Sequence, residues 1–214
     1  YDHGKTWSAK PKAGQPMFRS PRMATPFFVQ FGKDYKDAMD EYVYITSNVG
    51  TWNNGSLMYM ARVKKDKIAD LKFEDWEYFC GFGKDSVPQW STHYKYLGSP
   101  IFMYKDHSSM SGIQYVPALK RFILMQWCYT DLGSKDPWKE TMLHLYEAEK
   151  PWGPYKHFYT ETNWGNALYN PVLPSKWFED GGMRCWMVSS GDFANVWGEL
   201  SYCYTQQKME FLLK

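Results

Sequence analysis

The chain has 214 residues, 44% of them hydrophobic and 22% charged, and a formal net charge of +2. That length supports one sizeable core in one or two domains, and the composition is that of an ordinary globular protein. The near-neutral balance gives no electrostatic case for nucleic acid, and no apolar run approaches the ~18 residues that a membrane-spanning helix needs.

In chain order, the first pattern is Asp2-His3-Gly4-Lys5-Thr6-Trp7. An Asp that caps a turn, a Gly free to take positive φ and a Trp that pins a hairpin together fit a tight β-turn. The pattern D-x-G-x-T-W is similar to the Asp-box of sialidase-like propellers, where it is structural. Residues 1–20 are therefore expected to finish an earlier blade, and the start at Tyr1 rather than Met suggests a processed or clipped N-terminus.

From there the chain reads as strands. Aromatic residues make up 19% of the sequence, and such flat, bulky side chains suit a pleated surface. The first unit holds four runs rich in β-formers, Thr25 to Gly32, Glu41 to Ser47, Ser56 to Val63 and Trp76 to Phe82. A short charged stretch, Asp66 to Trp76, predicts one helical turn between strands. The second unit holds Ser111 to Pro117, Arg121 to Cys128, Met142 to Glu149 and Lys156 to Thr162. The third holds Tyr169 to Trp177, Arg184 to Gly191 and Glu199 to Gln206, with Lys208 to Leu213 as a fourth.

The units align on second strands that begin at Glu41, Arg121 and Arg184, each after a turn rich in Gly, Asp or Lys. Repeated four-stranded units with variable loops predict an all-β fold, a β-propeller, because each blade buries its two faces against its neighbours. The blades are read as 21–83, 105–163 and 164–214 of a single domain. An immunoglobulin-like sandwich is the alternative, but it would not give three matching units. Three and a half blades do not close a ring, so further blades are expected before Tyr1.

Four segments carry a resemblance: FFVQFGKDYKDAMDEYVYITSN, LMYMARVKKDKI, EKPWGPYKHFYTETNW and YNPVLPSKWFEDGG followed by CWMVSSGDF. Together they resemble the bacterial DUF4185-like proteins, which are similar to five-bladed glycoside hydrolase propellers. The resemblance spans about Thr25 to Phe193. It implies a secreted or periplasmic carbohydrate-active protein and a five-bladed whole, and it carries no catalytic residue onto this chain.

Sites in a propeller concentrate where the loop entering each blade and the loop between its second and third strands open on one face. The entering loops hold Arg22, His107, Asn163 and Trp164, and the others hold Asn48, Trp52, Tyr129, Asp131 and Asp192. Amides, hydroxyls and aromatic faces are the groups that hold sugars, so Arg22, Asn48, Trp52, Tyr129, Asn163 and Trp164 are the predicted substrate-binding residues. Glycoside hydrolysis needs two carboxyl groups, and Asp131 and Asp192 occupy the same loop of successive blades. Asp106 and Glu161 are reserves. A polysaccharide lyase would instead use His107 or Tyr129 as base with Arg22 against the uronate carboxylate. A glycan-binding propeller without catalysis is the third reading. The expected partner in every case is a polysaccharide or oligosaccharide.

The remaining motifs are sparse. No H-E-x-x-H occurs, and His3, His93, His107, His144 and His157 do not pair at ligand spacing, so no metal site is predicted. No cofactor is expected; a structural calcium on the axis is compatible with the fold, but no acidic cluster points to one. Gly81-Phe82-Gly83 has no helix after it to make a phosphate loop. Cys80, Cys128, Cys185 and Cys203 form no C-x-x-C motif and read as buried thiols, with a Cys185–Cys203 bridge as the alternative.

Overall fold

A computed structural model of the chain describes residues 5–6, 18, 20–49, 52–93, 98–131, 140–192 and 202–213. The Asp-box pattern lies outside the described residues, apart from Lys5 and Thr6. The described strands form three antiparallel sheets. The first contains β1 (Phe27–Phe28), β2 (Tyr42–Asn48), β3 (Gly55–Lys64), β4 (Glu77–Phe82), β5 (Pro88–Ser91) and β6 (Phe102–Ser108). The second contains β7 (Ile113–Val116), β8 (Arg121–Tyr129), β9 (Thr141–Ala148) and β10 (Lys156–Gly165), and the third β11 (Leu168–Val172), β12 (Arg184–Asp192) and β13 (Tyr202–Glu210). Among the described residues the only helical turns are short 3-10 turns, two of them at Ile68–Asp70 and Phe73–Asp75 where a single turn was predicted. No described helix is long and apolar enough to cross a membrane.

The sheets stack face to face, and the alternation along each strand shows why. On β8, Phe122 and Leu124 face the first sheet, where they join Val29, Phe31, Tyr44, Met58 and Phe102. Its other face carries Ile123, Met125, Trp127 and Tyr129 toward the third sheet, against Leu168, Leu173, Cys185 and Met187. A strand covered on both faces needs an unbroken apolar run, which is how RFILMQWC reads. The polar exception, Gln126, is fully buried on the first-sheet side. Its Oε1 accepts the Ser109 backbone N–H at 2.9 Å and its Nε2 donates to Ser111 Oγ at 2.7 Å, so the buried amide is paired at both ends.

The segment after β1 lies beside β7, the edge strand of the second sheet. The Gln30 N–H donates to the Ile113 carbonyl at 2.9 Å, and the Tyr115 N–H to the Gln30 carbonyl at 2.8 Å, a parallel bridge between the segment after β1 and β7. From β7 the chain reaches the third sheet through the Ala118 N–H, which donates to the Gly181 carbonyl at 2.9 Å. Beside it Gly182 has φ +97°, and a Cβ there would sit 2.9 Å from Val116 Cγ1. Only glycine allows that approach.

Two details depart from the sequence reading. Strands β5 and β6 were not anticipated. Both β4 and β6 pair with β3, β4 along its C-terminal half (Ala61 with Tyr78) and β6 along its N-terminal half (Leu57 with Met103). The third sheet has three strands among the described residues, because β13 runs unbroken through both segments read as separate strands. The stretch Thr205 to Glu210 contains no Gly, Pro, Asn or Asp to turn it. The cysteines follow the reading as free thiols: Cys185 pairs with Met209 and Cys203 with Gly191, so the register separates the two, and all four are free, Cys128 and Cys185 buried and Cys80 and Cys203 partly exposed.

Candidate functional site

The three sheets meet at one cluster of aromatic rings. Trp52, from the loop between β2 and β3, stands edge-on to Trp127 of β8 at 5.6 Å and to Tyr169 of β11 at 4.8 Å between ring centroids. Trp127 and Tyr169 lie 6.0 Å apart, and Tyr169 also meets Tyr202 of β13 at 6.3 Å. Trp127 is fully buried and donates its indole N–H to the Met110 carbonyl at 2.9 Å, whereas Trp52 is 39% exposed and Tyr202 69%. The cluster thus has a rigid floor and accessible rings above it.

Asn54 ties the first sheet's loop to the second sheet. With φ at +46°, it turns its side chain to β8 so that Nδ2 donates to the Tyr129 carbonyl and Oδ1 accepts the Tyr129 N–H, both at 3.1 Å. Its own N–H donates to Ser109 Oγ at 2.9 Å. The side chain therefore acts as one more rung of a β-ladder, and asparagine tolerates the left-handed conformation that this requires. Nearby, Asn170 of β11 also has positive φ, and its buried Oδ1 has no hydrogen-bond partner among the described residues. An unpaired buried acceptor is unfavourable.

The sequence-predicted residues fall into separate groups. Asp131 is exposed just beyond the end of β8. Asp192 ends β12, where it pairs with Tyr202, and its side chain lies outside the described residues. Asn163 is exposed on β10. Three others are buried: Tyr129 packs edge-on against Trp127 at 5.5 Å, Trp164 donates its indole N–H to Gln207 Oε1 at 2.7 Å, and Asn48 accepts the Thr25 hydroxyl. They brace the loops from within, because each has a polar or aromatic partner inside the sheet contacts. Arg22 lies in a 3-10 turn with its guanidinium 5.1 Å above the Tyr59 ring, on the face of the first sheet turned away from the second.

His107 lies elsewhere again, between the first and second sheets. It stacks on Tyr104 at 4.2 Å, and its ring centroid is 5.5 Å from that of His144 on β9. His144 in turn lies 5.9 Å from His157 of β10. These side chains line or adjoin an open cleft of about 530 Å³ walled by Tyr104, His144, Tyr146, Tyr155, His157 and Thr160. Burial, with the neighbouring charges of His107 and His157, pushes the His144 pKa down to about 4, so the ring is neutral near pH 7. Cys128 shares this side of β8, and burial raises its thiol to about 11. One ring nitrogen each from His107 and His144 and the Cys128 sulfur lie within 4.8 Å of one another. The three donors come from three strands, so linear spacing could not reveal them. Strand alternation could have, since it puts Gln126 and Cys128 on one face of β8, and the β8–β9 register sets His144 opposite Gln126.

Comparison with solved structures bears on the fold. The chain is similar to an endo-arabinase from Bacteroides thetaiotaomicron VPI-5482, with a TM-score of 0.52 at 12% identity over 87% of this chain. The fold is that of β-propeller blades. The chain spans 50% of that neighbour's length, and the three sheets among the described residues do not close a ring. It is also similar to a proposed exo-beta-1,3-galactanase from Bifidobacterium bifidum s17, with a TM-score of 0.39 at 10% identity, covering 80% of this chain and 46% of that one, a likeness too slight to carry weight. No protein-family model matches the sequence, the DUF4185-like family included, and no curated protein matches it.

Proposed function

We propose that this chain is part of a carbohydrate-active propeller, a glycoside hydrolase that seats a glycan over the Trp52–Tyr169–Tyr202 rings at the loop ends. The observation that carries the reading is the convergence of Trp52, Trp127 and Tyr169 from three different sheets, with exposed rings over a buried one. Sugar rings present flat C–H faces that stack on such a platform, and a rigid floor lowers the ordering entropy lost on binding. Asp131 follows the strand that carries Trp127. The endo-arabinase likeness fits this reading at the level of fold.

In the proposed chemistry Asp131 and Asp192 are the two carboxyl groups. One donates a proton to the leaving glycosidic oxygen, and the other acts as base or nucleophile at the anomeric carbon. Asp131 comes two residues after β8 and Asp192 is the last residue of β12, each strand being the second of its unit. The lyase alternative gains nothing from the geometry. Tyr129 faces the third sheet, His107 on the first sheet faces the second, and Arg22 lies beyond the first sheet's far face.

Incubation with a panel of plant and bacterial polysaccharides tests this directly. New reducing ends without any gain in near-ultraviolet absorbance are the expected result. An unsaturated product would establish a lyase, and saturable binding without product would make the chain a glycan-binding module. Either result would overturn the hydrolase reading.

A further inference from the structure

We propose that His107, His144 and Cys128 form a mononuclear site for a borderline divalent transition metal, zinc being the best match, which fastens β6 of the first sheet to β8 and β9 of the second. This site is independent of the glycan reading, because its donors face the contact between the first two sheets and not the aromatic platform.

The hydrogen bonds around the two histidines carry the argument. His107 Nδ1 lies 2.7 Å from the Lys105 carbonyl oxygen, which can only accept, so the proton sits on Nδ1 and Nε2 keeps its lone pair. Stacking on Tyr104 occupies the face of the His107 ring and leaves its in-plane nitrogen free. His144 Nδ1 lies 2.9 Å from Thr160 Oγ1, while its Nε2 is buried with no hydrogen-bond partner among the described residues. If Nε2 carried the proton, a donor would be stranded in the interior. With the proton on Nδ1 and shared with Thr160, Nε2 offers a lone pair instead. Thr160 is in turn held by His157 Nε2 at 2.8 Å.

Fixing the far nitrogen of each ligand histidine by a hydrogen bond is what metal sites require of their surroundings, since it selects the tautomer and orients the ring. The third donor, Cys128, is 1% exposed, and its sulfur lies within 4.8 Å of a ring nitrogen of each histidine. Donors around tetrahedral zinc stand about 3.3–3.7 Å apart, so side-chain rotations of about an ångström close the set. On binding, the Cys128 S–H bond breaks, a metal–sulfur bond forms, and the proton leaves to solvent; no oxidant or reductant is involved. Two imidazoles and one thiolate favour zinc or cobalt(II) over magnesium or calcium, which prefer oxygen ligands. The neighbouring cleft, lined by His144, leaves the fourth position to water.

The test is a cobalt(II) and zinc titration of the untagged protein after treatment with a chelator. One equivalent of cobalt(II) should give a thiolate-to-metal charge-transfer band in the near ultraviolet and strong tetrahedral bands in the visible. Zinc should displace it. Zinc at a hundredfold excess over its Kd should raise Tm by about 5–10 °C, whereas magnesium and calcium should not. Cys128→Ser should abolish the charge-transfer band. Should that variant fail to fold, His107→Ala, at a half-exposed position, should weaken binding at least about tenfold, and His157→Ala should keep the band. Wild-type protein without a charge-transfer band, or a band that survives His107→Ala at full affinity, would overturn the site. Neither result depends on whether any glycan is cleaved.

Discussion

Asp131→Asn should lower glycan turnover by about 10²–10⁴-fold and leave the unfolding transition where it is. The asparagine has nearly the same shape but can neither deliver a proton to a leaving oxygen nor attack an anomeric carbon. Because Asp131 is exposed just after β8, losing its charge should cost little folding energy. The effect should fall on kcat, with KM little changed, because the group is asked to act in the transition state. Asp192→Asn should behave in the same way, and the double variant should be little worse than either single one, as is usual for groups that act as a unit. Wild-type kcat in Asp131→Asn, measured on whichever polysaccharide the intact protein cleaves, would remove Asp131 from the reaction.

Trp127→Ala should cost about 3–5 kcal/mol of stability, read from urea unfolding at equilibrium. The ring is fully buried and touches Trp52, Tyr129 and Tyr169, so its removal leaves a cavity where elements of three sheets meet. It also leaves the Met110 carbonyl without the indole N–H. In a chain of this size the loss corresponds to a fall in Tm of roughly 6–20 °C. Trp127→Phe should recover much of the packing while still lacking the hydrogen bond. A loss below about 1 kcal/mol would mean that the junction is not packed as described.

These two predictions rest on features that differ in how visible they were beforehand. The strands of the second unit were legible because β8 is buried on both faces, and such a strand spells itself out as an unbroken apolar run. The β6 strand was not, since Phe102-Met103-Tyr104-Lys105-Asp106-His107-Ser108 mixes apolar, charged and polar residues without a clean period of two, as suits a strand with four of its first five side chains at least partly open to solvent. The division of β13 into two strands followed from treating each unit as a copy of the first. Local chemistry, an alternating stretch with no turn former, pointed the other way.

The candidate site divides along similar lines. Loop position alone pointed to Trp52, which joins the aromatic cluster, and to Asp131, which is exposed beyond β8. It could not tell an exposed loop residue from one folded inward. Asn48, Tyr129 and Trp164 turn into the sheet contacts because each has a specific partner there, Thr25, Trp127 and Gln207. Tyr169 and Trp127 were passed over because they sit within strands. The gathering of His107, His144 and Cys128 depends on how one sheet is laid against another, which no spacing along the chain encodes.

All of this presumes that loop ends from separate sheets converge, and the contact between Trp52 and Tyr169 is where that is most exposed to test, since among the described residues the first and third sheets have no hydrogen-bonded strand in common. A double-mutant cycle of Trp52→Ala and Tyr169→Ala, followed by urea unfolding, measures it directly. A coupling of about 1 kcal/mol is the result predicted for two rings in edge-to-face contact. Single-variant losses that add to within about 0.3 kcal/mol would show that the two side chains do not meet, and the common platform would not exist.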